Sequence, residues 1–207
     1  MSGGGLSIAD IRFSGREVRD LLAAWIALGA AFALFFGGGA GILAFPAAFL
    51  VLFVINFLTA GVGFLLHELA HKVVAIRYGQ VAEFRADYSM LAIAIVTALA
   101  GFIFAAPGAV YHRGRITARE NGIIAVAGPV TNLLLAVVFA PLLFGSGVVY
   151  EVGRFGVGIN LFLAAFNMIP FGPLDGKKVL AWSKAVFAVV FLGSAALALV
   201  ALLVLLF

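Results

Sequence analysis

From Phe45 to Leu66 the chain carries no acidic or basic side chain. As a helix rising 1.5 Å per residue, that stretch reaches roughly 33 Å, enough to cross a bilayer. With no water in the hydrocarbon core, the backbone of such a segment must satisfy its own hydrogen bonds, which selects a helix packed in a bundle. The rest of the chain extends the argument. Of 207 residues, 65% are hydrophobic and 11% charged, more apolar surface than a water-soluble domain can bury. The expected fold class is an all-α polytopic membrane protein with about five transmembrane helices. Met1 to Asp20 contains Arg12, Arg16 and Arg19 and lacks the apolar centre of a cleavable signal, so the first span is expected to direct insertion.

The uncharged run ends in Leu65-Leu66-His67-Glu68-Leu69-Ala70-His71-Lys72. On a helix, an H-E-x-x-H pattern sets two imidazoles one turn apart on one face, where both can ligate one Zn²⁺, while the glutamate reaches a water at that metal. This is the arrangement for metal-assisted amide hydrolysis. A lone histidine in an apolar helix is ordinarily a satisfied core residue, and a short pattern can arise by chance. Here two of the three histidines flank an acid at ligand spacing inside a hydrophobic segment, where ionisable groups are costly and point to function. With no cysteine in the chain, there is neither a disulfide framework nor a thiolate ligand, so the metal donors must be histidine and carboxylate. The net charge of +4 is spread over loops and reads as membrane topology, with no nucleic-acid partner.

In order, Met1 to Asp20 reads as a polar N-terminal arm, with Gly3 to Gly5 disordered and Ser14 to Asp20 a turn of interfacial helix. Residues 21–207 read as a single membrane-embedded domain with its core at 45–184. Leu21 to Phe36 is a first span closed by Gly37-Gly38-Gly39-Ala40-Gly41, and the HELAH helix runs from Phe45 to about Val74. Val81 to Tyr88 alternates as a short β-strand. Met90 to Tyr111 is apolar but broken by Gly101 and Pro107-Gly108. Ile123 to Phe144 opens with Ala127-Gly128-Pro129-Val130-Thr131-Asn132, and Val148 to Pro170 leads into Asn167-Met168-Ile169-Pro170-Phe171-Gly172-Pro173-Leu174-Asp175-Gly176. Lys177, Lys178 and Lys184 precede a last apolar helix. Zinc in catalytic sites has three protein ligands, and Asp175 is the best candidate for the third. An isolated Leu-Asp-Gly would favour a helix cap on the Lys178 amide, and the partnership with HELAH favours the ligand.

In these three blocks, HELAH, the Ala-Gly-Pro-x-x-Asn of 127–132 and the Asn-to-Leu-Asp-Gly segment of 167–176, the chain resembles the site-2 family of intramembrane zinc metalloproteases. The resemblance covers the membrane core. It implies one Zn²⁺ per chain held by His67, His71 and Asp175, Glu68 as general base activating water, and Asn132 and Asn167 engaging the substrate backbone. It also implies a transmembrane-helix protein as substrate, cut in or near its span, with release of a membrane-tethered factor. In the minimal core of that family the HExxH and AGP helices are consecutive antiparallel spans, whereas here Met90 to Tyr111 intervenes. A single crossing by that segment would carry Asp175 to the opposite face, so 90–111 is expected to be re-entrant or hairpin. Charge agrees independently. With five crossings and the N-terminus inside, every Lys and Arg except Arg154 is cytoplasmic, 12 of 13; a sixth crossing makes the split 7 to 6. The N-terminus and the active-site end are therefore expected on the cytoplasmic side.

Other readings stay open at this level. Buried histidine and carboxylate could line a cation transporter, or an inactive relative could act as a membrane scaffold, although the intact Glu68 speaks against the scaffold. A prenyl-protein type of membrane protease would take its zinc carboxylate from a downstream helical glutamate, which this chain does not offer. His112 is in a charged loop, an unfavourable position for an oxyanion donor. Val81 to Arg85 or Pro107 to Tyr111 could offer a strand edge to an unwound substrate, or simply close the loop, and Pro107-Gly108 could be a gate or an ordinary turn. With no regulatory domain visible, substrate selection falls to the membrane core, a partner or prior trimming.

Overall fold

A computed structural model describes residues 6–8 and 11–206, so the expectation for Gly3 to Gly5 lies outside the described residues. Strands β1 (Leu6–Ile8) and β2 (Ile11–Phe13) form a small antiparallel pair ahead of helix α1 (Gly15–Phe36). Ser14 caps α1 by accepting from the Glu17 N–H at 3.1 Å. Residues 15–20, expected as a turn of interfacial helix in a polar arm, are the first turns of α1, and Glu17 and Asp20 there are buried to 1% exposure. Composition alone marks such residues as solvent-facing; partners from elsewhere in the chain reverse that.

After α1 a 3₁₀ turn over Gly39–Ala44 leads to Pro46, which opens helix α2 (Pro46–Asn56) at a position where its missing N–H costs nothing. A single π turn at Phe57–Gly61 joins α2 to α3 (Val62–Arg77), making one rod from Pro46 to Arg77. Periodicity gives an unbroken helix here; the bulge has a tertiary cause. Trp25 of α1 donates its indole N–H to the Phe57 carbonyl at 2.8 Å and stacks on the Phe57 ring at 4.4 Å, and a Cβ on Gly61 would overlap that indole.

Strand β3 (Val81–Ala86) is followed by helix α4 (Tyr88–Leu99), whose N-terminus is capped by Asp87 accepting from the Met90 N–H. At 12 residues, α4 is about 18 Å long, well short of a bilayer core of about 30 Å. The chain then turns at Gly101, with φ 86°, and returns without regular secondary structure to β4 (Gly108–Arg113). β4 pairs antiparallel with β3 from Val81 opposite Arg113 to Ala86 opposite Gly108, and the Asp87 N–H reaches the Pro107 carbonyl at 3.1 Å. The two ends of the segment therefore meet. It enters and leaves on one side, as the re-entrant expectation over 90–111 requires.

Helix α5 (Ala118–Phe139) starts with a capping box, Thr117 with Glu120, and continues in a 3₁₀ turn to Phe144. Helix α6 (Val148–Asn167), the short α7 (Asp175–Trp182) and α8 (Lys184–Ala201) complete the bundle, in which α5 packs against α3, α6 and α7. Five helices, Gly15–Phe36, Pro46–Arg77, Ala118–Phe144, Val148–Asn167 and Lys184–Leu205, are long and apolar enough to cross a membrane. Val189, Leu192, Leu197, Leu199 and Val200 stand exposed along α8, the face a lipid-contacting helix needs.

Five crossings with a re-entrant 88–107 place 77 and 115 on one side of the membrane and 146 on the other. In this cysteine-free chain, an impermeant maleimide added to sealed oriented vesicles is expected to label Arg77→Cys and Arg115→Cys from the same side and Ser146→Cys from the opposite side. Labelling of Arg77→Cys and Arg115→Cys from opposite sides would show that the segment crosses.

Candidate active site

His67 and His71 lie on successive turns of α3 and are 4% and 7% exposed. Each ring has one nitrogen committed. His67 Nδ1 is 2.6 Å from Asn132 Oδ1, and His71 Nδ1 is 2.8 Å from the Ile124 carbonyl. Both partners are oxygens that only accept, so both Nδ1 atoms carry the proton and both Nε2 atoms present a lone pair. Those two nitrogens are 2.9 Å apart, and Asp175 Oδ2 is 3.2 Å from one and 3.1 Å from the other. Three electron-rich atoms facing one another in a buried site repel unless a cation sits among them. Tetrahedral zinc with bonds of about 2.0–2.1 Å spaces its ligands about 3.3 Å apart, so the donor set fits the ion in chemistry and in size.

Asp175 arrives from the far end of the chain. It is the first residue of α7 and makes no side-chain cap on that helix, contrary to the capping alternative. Its delivery depends on the preceding turn. Gly172 adopts φ 60°, and a Cβ on Gly176 would overlap the Met168 carbonyl at the end of α6. Asp175 is 6% exposed and completes the donor group with His67 and His71.

Glu68 is on the same turn of α3 and is 7% exposed. Its Oε2 accepts the Val110 N–H of β4 at 3.1 Å. His67, Glu68, His71, Asn167 and Asp175 all line one largely apolar cavity of about 350 Å³. Part of its wall is the return segment 103–110, and His112 lines it too. Burial and the nearby Lys178 charge push His112 below its ordinary value. The charged-loop reading of His112 misses this, because the β3–β4 pairing turns that residue inward.

Asn132 lies behind the cavity and is completely buried. Besides accepting from His67 Nδ1, it donates from Nδ2 to the Gly63 carbonyl at 3.1 Å and to Asn160 Oδ1 at 2.9 Å. Asn160, also fully buried, donates to the Gly156 carbonyl at 2.8 Å. This asparagine relay ties α3, α5 and α6 together behind His67. Asn167 is half-buried in the cavity wall and donates to the Leu163 carbonyl at 2.9 Å. Gly128, from the Ala-Gly-Pro block of α5, fills the remaining space. A Cβ there would be 2.5 Å from Nε2 of both His67 and His71.

Comparison with known proteins decides the class of this site. The chain is 44% identical over 184 residues to "Putative zinc metalloprotease MJ0611" of Methanocaldococcus jannaschii, covering 86% of this chain and 91% of that one. It belongs to the same family of zinc metalloproteases. The metalloprotease is also 31% identical over 144 residues to "Putative zinc metalloprotease YwhC" of Bacillus subtilis, covering 59% of this chain and 66% of YwhC. It matches "Putative zinc metalloprotease Rip3" of Mycobacterium tuberculosis at 36% over 121 residues, covering 56% of this chain and 27% of Rip3. No family model and no solved structure matches. Zinc is its cofactor, and His67, His71 and Asp175 form the group able to hold it.

Two substitutions test how this pocket is built. Gly128→Ala in the metalloprotease is expected to abolish stoichiometric zinc, measured by metal analysis of purified protein, because the new methyl intrudes on both imidazoles. Asn132→Leu removes the orienting partner of His67 and is expected to weaken zinc by roughly 10–100-fold in a chelator competition. Unchanged affinity in both would mean that the metal is held elsewhere.

Proposed function

We propose that this zinc metalloprotease is an intramembrane endopeptidase of the site-2 kind, hydrolysing peptide bonds in or near the transmembrane helices of membrane-protein substrates. The observation that carries the reading is Glu68. A carboxylate sits beside the His67, His71 and Asp175 donor set, in an apolar cavity, on a rod long enough to span a bilayer.

In this reading His67, His71 and Asp175 are the metal ligands and Glu68 is the general base. Bound zinc supplies Lewis-acid chemistry, polarising a carbonyl and lowering the pKa of a water to about 7. Glu68 takes the proton of the attacking water and returns it to the leaving nitrogen of the cut peptide. Asn132 holds His67 through Nδ1, which keeps Nε2 free; with its carboxamide already committed three ways, that role replaces direct contact with substrate. Asn167, in the cavity wall, retains the role of hydrogen-bonding the substrate backbone. A transmembrane substrate must unwind to expose a carbonyl, and the outer edge of β4, whose Val110 N–H points at Glu68, offers such a strand a backbone partner. The distribution of Lys and Arg supports a cytoplasmic N-terminus and a cytoplasmic active-site end. Among the described residues the metal-type donors gather in one cluster instead of a string at several depths, which argues against a cation pathway.

The test is cleavage of a single-span model substrate by purified protein in detergent, with bound zinc measured on the same samples. Wild type is expected to cut. Glu68→Gln is expected to retain zinc and lose about 10²–10⁴-fold in kcat. Asp175→Asn is expected to lose zinc and activity together. Wild type that holds zinc yet cuts no substrate in a broad panel would sink the reading.

A further inference from the structure

The β3–β4 sheet is held from both edges by carboxylates that trace back to one turn of α3. Phe84 and Val110 face each other across the ladder. Each sends its N–H away from the partner strand, as residues in a non-hydrogen-bonded antiparallel pair do. On the β3 edge the Phe84 N–H donates to Glu17 Oε1 at 2.9 Å; on the β4 edge the Val110 N–H donates to Glu68 Oε2 at 3.1 Å. Glu17 Oε2 is 2.5 Å from Lys72 Nζ, and Lys72 is four residues after Glu68 on α3. The contacts close a ring: Glu68, Val110, Phe84, Glu17, Lys72, and one helical turn back to Glu68. Lys72 also donates to the Arg12 carbonyl at 2.8 Å and lies 4.0 Å over the Phe13 ring. Asp20, one turn beyond Glu17, accepts from the Ala86 N–H at 3.4 Å and from the Tyr88 hydroxyl at 2.8 Å.

Glu17 and Lys72 are each 1% exposed. A buried ion pair is a poor device for stability, since apolar side chains of similar volume fill the same space without desolvating two charges. What this pair provides is direction. One carboxylate binds the ammonium and a strand N–H at once, which fixes the distance from α3 to the sheet. It covers the outward N–H of Phe84, as Asp20 covers that of Ala86, so that part of the β3 edge is closed to a further strand, whereas the Val110 N–H on β4 is held by Glu68.

We propose that Glu17 and Lys72 are positioning residues for proteolysis: they fix the sheet to α3 so that the Val110 N–H stands over Glu68, and an extended substrate takes that N–H with its own backbone carbonyl, releasing Glu68 as it binds. The inference rests on the reading of β4 as the substrate-docking edge. Substrate binding and unmasking of the base are then one event, and a peptide that does not pair with β4 meets a base that is still engaged.

The experiment compares full-length wild type, Glu17→Leu/Lys72→Met and Glu17→Gln/Lys72→Met in detergent, by amide hydrogen exchange, zinc content and cleavage kinetics. Both double variants remove the two charges together, so neither leaves an unpaired buried ion. Only the glutamine variant keeps an oxygen for the Phe84 N–H. The leucine variant is expected to keep its zinc, to exchange faster at both Phe84 and Val110, and to raise KM roughly tenfold with kcat within about twofold, the scale of one hydrogen bond. The glutamine variant is expected to restore protection and KM. Faster exchange at Phe84 alone with unchanged KM would overturn the proposal, as would equal impairment of the two variants or a joint fall of kcat and zinc. If wild type cuts nothing, the proteolytic reading fails by itself. Exchange still judges the clamp: Val110 protection that follows the acceptor at position 17 supports it, and protection indifferent to that acceptor refutes it.

Discussion

Two imidazole nitrogens with lone pairs facing each other at 2.9 Å, and a carboxylate oxygen within 3.2 Å of both, form a repulsive arrangement that only a cation makes favourable. In a bundle this apolar the repulsion is poorly screened, so the donors must be held in place from behind. Each has its own restraint. Asn132 fixes His67, the Ile124 carbonyl fixes His71, and the irregular turn from Met168 to Leu174 fixes Asp175. The restraints come from α5 and from the junction of α6 with α7, so α3, α5 and α6 must converge at one depth. The bundle geometry is in large part the geometry of this convergence.

That convergence is set by what is missing from side chains as much as by what is present. Between helices in lipid, association rests on close packing and interhelical hydrogen bonds, because lipid tails are as apolar as leucine. Gly128 lets α5 approach until its backbone lines the metal pocket, and Gly176 lets the start of α7 rest on the last carbonyls of α6. The asparagine relay through Asn132 and Asn160 then supplies direction that packing alone lacks. In hydrocarbon a carboxamide with no partner costs a few kcal/mol, so the helices are held to the arrangement in which the relay is complete.

HELAH, the Ala-Gly-Pro block and the Leu-Asp-Gly turn were legible as a site because their chemistry is written in residue types that an apolar span does not otherwise tolerate. The five long helices were legible from length and hydropathy, and the re-entrant segment, expected over 90–111, followed from asking which side Asp175 must reach. What stayed hidden depends on partners distant in sequence. Glu17 and Asp20 look like solvated charges of an arm until β3 is laid beside α1, and the π turn at Phe57 has no local signal because its cause is Trp25. Asn132 shows the same limit. Its position in a motif marks it as important, yet its hydrogen bonds to His67, Gly63 and Asn160 come from residues distant in sequence.

The same turn of α3 therefore serves two surfaces of different stiffness. His67 and His71 face a wall of long helices whose backbone hydrogen bonds are internal, which suits a metal geometry that must not drift. Glu68 faces the two-stranded β3–β4 sheet and Lys72 faces Glu17 of α1, which holds the same sheet, and a pair of strands has little stability of its own. A sheet that thin holds a fixed position only if something else fixes it, and here that is a carboxylate on each edge. The two attachments differ in kind. Glu17 is locked to Lys72 by a buried ion pair, whereas Glu68 lines an open cavity and can exchange its partner. In the proposed mechanism, a thin sheet fastened firmly on one edge and loosely on the other admits an extended peptide along the loose edge while the metal wall stays where it is.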